Sequence, residues 1–101
     1  MFAHHFTATV KHGKIEEAVR IYEDEVIPEG KDQKGFFGSY VFTDKESSRL
    51  MAISLWNSKD DILACVENGY YNRQIEKFNG YFVEPPIQNE FEVSMLFNKA
   101  R

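Results

Sequence analysis

Phe2, Phe6, Ala8 and Val10 alternate along the first ten residues, with His4 on their side and Ala3, His5, Thr7 and Thr9 on the other. A period of two predicts a first strand over residues 2–10. Lys11-His12-Gly13-Lys14 breaks it, with Gly13 free to take a positive φ. From Ile15 the period lengthens. Ile15, Ala18, Val19, Tyr22 and Val26 form one helical stripe, and Glu16 and Glu17 suit the positive end of the helix dipole. The spacing predicts a helix over residues 14–27, stopped by Pro28, which disfavours helical geometry at Ile27. Residues 29–35 read as a polar loop. Gly35-Phe36-Phe37-Gly38-Ser39-Tyr40-Val41-Phe42 opens a second strand, residues 44–48 a turn, and residues 50–56 a third strand, together a β-hairpin. Ser58 then stands as an N-cap with Asp60 and Asp61 in the first turn. The helix it starts is expected to reach Asn79, kinked near Asn68-Gly69. After the extended Glu84-Pro85-Pro86, Phe91, Val93, Met95 and Phe97 alternate with Glu90, Glu92, Ser94 and Leu96, the clearest strand pattern of the chain.

The order β-α-β-β-α-β, with right-handed crossovers, implies an α+β ferredoxin-like domain: a four-stranded antiparallel sheet with both helices on one face. The other face should then be polar. It is not. Leu50, Ala52 and Trp56 line one side of the third strand, and Met51, Ile53 and Leu55 line the other. The second strand repeats this with Phe36, Tyr40 and Phe42 against Phe37 and Val41. The chain has no spare element to cover a second apolar face, so a homodimer is expected.

At 101 residues the sequence has room for one domain, taken as 1–101. Its net charge of −4, with no basic block, argues against wrapping nucleic acid. No apolar run is long enough to span a membrane, and the first ten residues lack the apolar core of a secretory signal. The single cysteine, Cys65, excludes an intrachain disulfide and points to a reducing, cytoplasmic setting.

Gly13 before the first helix, Pro28 after it, Gly35-Phe36-Phe37-Gly38, Trp56, Asp60-Asp61 and Phe91-Glu92-Val93 together resemble the antibiotic biosynthesis monooxygenase (ABM) domain family. The resemblance covers nearly the whole chain. It implies a dimeric α/β barrel, in which two ferredoxin-like sheets pack together. It also implies a range of activities, from cofactor-free oxygenation of aromatic polyketides to haem degradation, so fold alone does not choose among them. The haem-degrading branch carries a first-strand asparagine, the tryptophan and a second-helix histidine. Here only Trp56 matches, since all three histidines precede residue 13.

The resemblance places Trp56 beside a pocket between sheet and helices; its competing role is a core aromatic that anchors the helix. His4 shares the apolar side of the first strand with Phe6 and is the histidine expected to face the pocket. His4, His5 and His12 are not at metal spacing, no carboxylate or thiol joins them, and no metal site is expected. Tyr70 and Arg73, three apart, are suited to hold a phenolate or carboxylate oxygen, unless they form an ordinary amphipathic surface. Cys65 reads as a small core residue. No nucleotide-binding glycine pattern occurs, so no cofactor is expected. The leading expectation is a cofactor-free monooxygenase of the ABM type acting on a small aromatic or quinol-like molecule. His4 takes a phenol proton, Arg73 holds the oxyanion, Trp56 lines the pocket, and Phe6, Tyr40, Ser54 and Tyr70 border the substrate. The alternative is a non-catalytic ligand-binding or stress-related dimer on the same fold.

Overall fold

The computed structural model describes residues 1–99. Strands β1 (Phe2–Thr9), β2 (Phe36–Asp44), β3 (Arg49–Trp56) and β4 (Ile87–Glu92) form one sheet in the order β2-β3-β1-β4, antiparallel throughout. This is the expected ferredoxin-like arrangement. The register sets His4 opposite Ser54 on β3 and Glu90 on β4, and Phe6 opposite Ala52 and Gln88. His4, Phe6, Ser54 and Gln88 therefore share the face that the helices cover.

The first helical segment departs from expectation. Helix α1 (Ile15–Ile21) passes into a π-helical turn (Tyr22–Val26) and on into α2 (Ile27–Gly30), so Pro28 lies inside the helix rather than beyond its end. A proline ring ordinarily collides with the carbonyl four residues earlier. Here the Ile27 N–H bonds the Tyr22 carbonyl, five residues back, and the wider turn makes room. The second helical segment divides where the sequence predicts a kink. Helix α3 (Lys59–Glu67) starts at Ser58, whose hydroxyl accepts from the Asp61 N–H at 3.2 Å and donates to the Asp61 carboxylate at 2.9 Å. Helix α4 (Tyr70–Glu76) follows Gly69.

The last strand is also displaced. Alternation predicts residues 91–97, whereas β4 occupies Ile87–Glu92. Among the described residues its only neighbour is β1, and the Val93 N–H to the Met1 carbonyl, 2.9 Å, is the final rung beside it. Residues 93–99 carry the alternating pattern onward without a strand partner, leaving Met95 and Phe97 exposed.

Helices and sheet enclose two clusters of buried side chains. Val10, Ala18, Tyr22, Val26, Leu50, Ala52 and Phe78 form one, and Trp56, Ile62, Cys65 and Tyr70 the other. The opposite face of the sheet presents Phe37, Tyr40, Phe42, Ile87 and Phe91, each more than half exposed. The second apolar face expected from the strands is thus present and uncovered in the single chain.

Gly35 joins the helical layer to β2 with φ +85°, and a Cβ there would stand 2.0 Å from an Asp61 carboxylate oxygen. Gly35→Ala is expected to cost about 2–3 kcal/mol, from left-handed strain plus displacement of the α3 cap. Gly13→Ala has a similar φ but open space around it, and should cost about 1 kcal/mol. Denaturant titration of the two variants checks this; equal losses would mean the approach to Asp61 is of no consequence.

Candidate functional site

A cavity opens at the seam between the two core clusters. Its floor is the sheet, from His4, Phe6, Phe36, Ala52, Ser54 and Gln88. Its roof is Tyr22, Val26, Ile27 and Gly30 from the first helical run and Tyr70, Tyr71, Gln74 and Phe78 from and just beyond α4. Gly30 is needed there, because a Cβ would come within 2.9 Å of the Tyr70 hydroxyl. The volume is about 50 Å³. One water needs roughly 10–15 Å³, and an apolar cavity that takes benzene offers roughly 150 Å³. At this volume the cavity suits a few waters, and an aromatic ring requires the roof to lift.

His4 is nearly buried. Its imidazole stacks on Tyr71 at 4.0 Å between ring centroids, and Nε2 lies 3.1 Å from Gln88 Oε1. With that oxygen accepting, Nε2 carries the proton and Nδ1 keeps its lone pair. Burial pushes the His4 pKa below its ordinary value, further helped by His5, while the Gln88 contact and Glu90 pull the other way. The ring is accordingly neutral at pH 7 and able to accept a proton. Ser54 is engaged on both sides: its hydroxyl accepts from Trp56 Nε1 at 2.9 Å and donates to the His4 carbonyl at 3.5 Å. Tyr22 hydrogen-bonds Ser39, and burial raises its pKa. Burial likewise drives the phenols of Tyr70 and Tyr71 well above the usual tyrosine value. Among the described residues no Lys, Arg, Asp or Glu lines the cavity.

Of the residues the sequence singles out, His4, Phe6, Ser54 and Tyr70 are brought together on the cavity wall. Three are not. Trp56 is wholly buried one layer behind, edge-on to Phe36, Tyr70 and Tyr71 at 5.4, 6.2 and 6.2 Å, so it supports the wall instead of lining it. Tyr40 points to the opposite face of the sheet, where its ring stacks on Phe42. Arg73 turns outward, its side chain half-exposed, because Glu29 captures it through Nε at 3.1 Å and Nη2 at 2.8 Å. Cys65 is buried near Gln33, and burial pushes its thiol up to about 11, too high for a nucleophile at neutral pH. Sequence reasoning missed Tyr22, Gln74 and Gln88. Gln88 follows from extending the final alternation back to Ile87; the other two read as ordinary helical positions.

Glu29 also accepts from Lys77 at 2.9 Å, and Lys77 reaches the Glu25 carbonyl and Gln74 Oε1. This polar clasp joins α2 to α4 across the outside of the roof. Lys77 first and Arg73 second hold the Glu29 carboxyl down to about 2. Among the described residues no group of three or more His, Cys, Asp or Glu side chains is placed to hold a metal, and no helix is long and apolar enough to cross a membrane.

A sequence model described as antibiotic biosynthesis monooxygenase matches residues 1–77. No sequence among the curated proteins matches the chain. Solved structures share its fold. SnoaB, a cofactor-independent oxygenase from Streptomyces nogalater, is 12% identical with a TM-score of 0.76, covering 97% of each chain. The monooxygenase from the gene ActVA-Orf6 of Streptomyces coelicolor, in complex with nanaomycin D, is 14% identical with a TM-score of 0.74, covering 98% of this chain and 92% of that one. NE2512, a protein of unknown function from Nitrosomonas europaea, is 13% identical with a TM-score of 0.74, covering 99% and 95%.

The clasp generates a pH prediction. A carboxyl held low in the folded protein contributes stability above its unfolded pKa, and that contribution fades as pH falls from about 4.5 toward about 2. Because these side chains are partly solvated, the contribution at pH 7 is at most about 1 kcal/mol. Glu29→Gln should be less stable than the parent by that amount at pH 7 and indistinguishable from it near pH 2. A gap that persists at pH 2 in denaturant titrations would assign the loss to something other than the ion pairs.

Proposed function

From a chain that belongs to the antibiotic biosynthesis monooxygenase family, we propose a cofactor-free monooxygenase acting on a small hydroxyaromatic or quinol-like molecule. The observation that carries the reading is His4: a nearly buried, neutral imidazole on the wall of a cavity otherwise lined by apolar and uncharged polar residues. Such a base takes the proton of a phenol without a charged group having to be desolvated beforehand. The resulting anion is electron-rich enough to reduce oxygen itself. One oxygen atom enters the ring as a quinone carbonyl at a ring carbon that carries hydrogen, and the other leaves as water with the phenol proton and that carbon's hydrogen. The protein's part is to orient the substrate, take the proton at His4 and keep water out. A structural relative named as a cofactor-independent oxygenase, and another crystallised with nanaomycin D, support this reaction class for the present chain. Arg73, tied to Glu29 outside the roof, has no part in it.

The uncovered sheet face is assigned to a second copy of the chain. Phe37, Tyr40, Phe42, Ile87 and Phe91 form an exposed apolar field, and the buried Nδ1 of His5 on the same face has no hydrogen-bond partner among the described residues. Residues 93–97 continue a strand pattern that this sheet does not pair. Such a surface is typical of an interface.

Two outcomes are expected. Chelator-treated protein should oxidise an anthrone or quinol in air and be inert under argon, with His4→Ala lowering the rate by roughly 10²-fold. Because burial lowers the His4 pKa against the pull of Glu90, the rate should hold as pH falls through 6.5 and drop only below it. Ligand binding with no oxygen uptake would favour the non-catalytic alternative. Separately, Ile53→Lys should shift the sedimentation mass from dimer to monomer, since an unpaired charge on a closed apolar face is strongly unfavourable; an unchanged dimer would place the interface elsewhere.

A further inference from the structure

Resting on the reading of the cavity as a ligand site, we infer that the Tyr71 hydroxyl is the donor that holds a carbonyl or phenolic oxygen of an uncharged aromatic ligand. Tyr71 stands in the first turn of α4 and lines the cavity. Its ring is fixed from three sides: it stacks on His4 and meets Trp56 and Tyr70 edge-on at 6.2 and 5.3 Å. The hydroxyl is buried and has no hydrogen-bond partner among the described residues. A buried tyrosine hydroxyl usually has a partner. Ser54 eases the rise in the Tyr71 pKa, and its oxygen, which accepts from the Trp56 indole and donates to the His4 carbonyl, keeps one lone pair, but among the described residues no acceptor stands in hydrogen-bond geometry to the Tyr71 hydroxyl. A ligand oxygen in the cavity would supply that acceptor.

The chemistry of that ligand follows from the wall. Burial keeps the Tyr71 phenol protonated, so it donates. Among the described residues the wall has no ionic side chain to balance a carboxylate or phosphate, and the Arg73 guanidinium is held outside by Glu29. A desolvated anion would go unpaired. The ligand is therefore uncharged on binding, apolar over most of its surface, and carries a ring ketone, quinone or phenol oxygen. In the proposed reaction this donor meets the substrate oxygen as it becomes negative on losing its proton to His4.

The test uses two bicyclic probes that differ at one position, 1-tetralone with a ring carbonyl and tetralin without it. Trp56 is the only tryptophan, so its indole N–H gives a single NMR cross-peak edge-on to Tyr71 to follow. Tyr71→Phe should weaken 1-tetralone binding roughly tenfold, as loss of one buried hydrogen bond implies, and leave tetralin within about twofold. The variant should also unfold at the same denaturant concentration as the parent or a higher one, because the lost hydroxyl had no partner in the protein. Unchanged tetralone affinity, or equal losses for both probes, would overturn the donor role while leaving the cavity a ligand site. A lowered unfolding midpoint would do the same, by showing that the hydroxyl serves the fold. Parent protein that binds neither probe would overturn the reading of the cavity itself, and the donor with it.

Discussion

An indole with no exposed surface must find an acceptor for its N–H, and Trp56 finds one two residues back on its own strand, at Ser54 Oγ. That bond commits Ser54, and the ring then acts as a block against which Phe36, Tyr70 and Tyr71 set their edges. Each neighbour is a cavity wall residue. The placement of Tyr71 in turn decides where the His4 ring stacks. Truncating such a buried aromatic costs about 3–5 kcal/mol in a typical core, and here it would also free Ser54, Tyr70 and Tyr71 to rearrange. The cavity takes its shape from a side chain that does not touch it.

The wall and the roof use different electrostatics. Inside are an imidazole, two carboxamides, a serine and three phenols, all uncharged. The charged groups nearest to it, Glu29, Arg73 and Lys77, are arranged over the outer side of the roof, where water screens them. Neutral groups are cheap to bury when paired, and charges are costly. The division lets the interior stay dry and the roof stay only loosely fastened, which a cavity of about 50 Å³ requires if it is to admit a ring.

Much of this was legible in the sequence because it is local. The change of period at Ile15, the Ser58 cap, the break at Asn68-Gly69 and the side of β1 that His4 shares with Phe6 each depend on neighbours a few residues apart. Other features depend on distant partners. Alternation continues through Phe97, but β4 lasts only as long as β1 lies beside it. Arg73 looks available on its helix until Glu29, forty-four residues earlier, is brought up to it. Tyr40 and Ser39 are adjacent, and the register, with an irregularity between Phe36 and Gly38, decides which of them faces the helices. Trp56 stands at the right place in the chain, while its depth below the wall is set by residues from α3 and α4.

The buried positions Ala18, Tyr22, Val26 and Gly30 follow one another in steps of four. On an ideal α-helix each such step drifts by about 40°, so three of them would carry Gly30 about 120° around the axis from Ala18. The π-helical turn at Tyr22–Val26 absorbs that drift and keeps all four in phase over the sheet. The wide turn holds one residue more than a straight α-helix needs, because eleven α-helical steps come within about 20° of three full turns. Removing an exposed residue of the turn, such as Asp24, would restore an α-helical pitch and still leave Gly30 over the sheet and Glu29 beside Arg73 and Lys77. The loss would fall on Pro28, whose ring would again meet the carbonyl four residues earlier. At this bend the extra residue serves the proline, not the phase of the face.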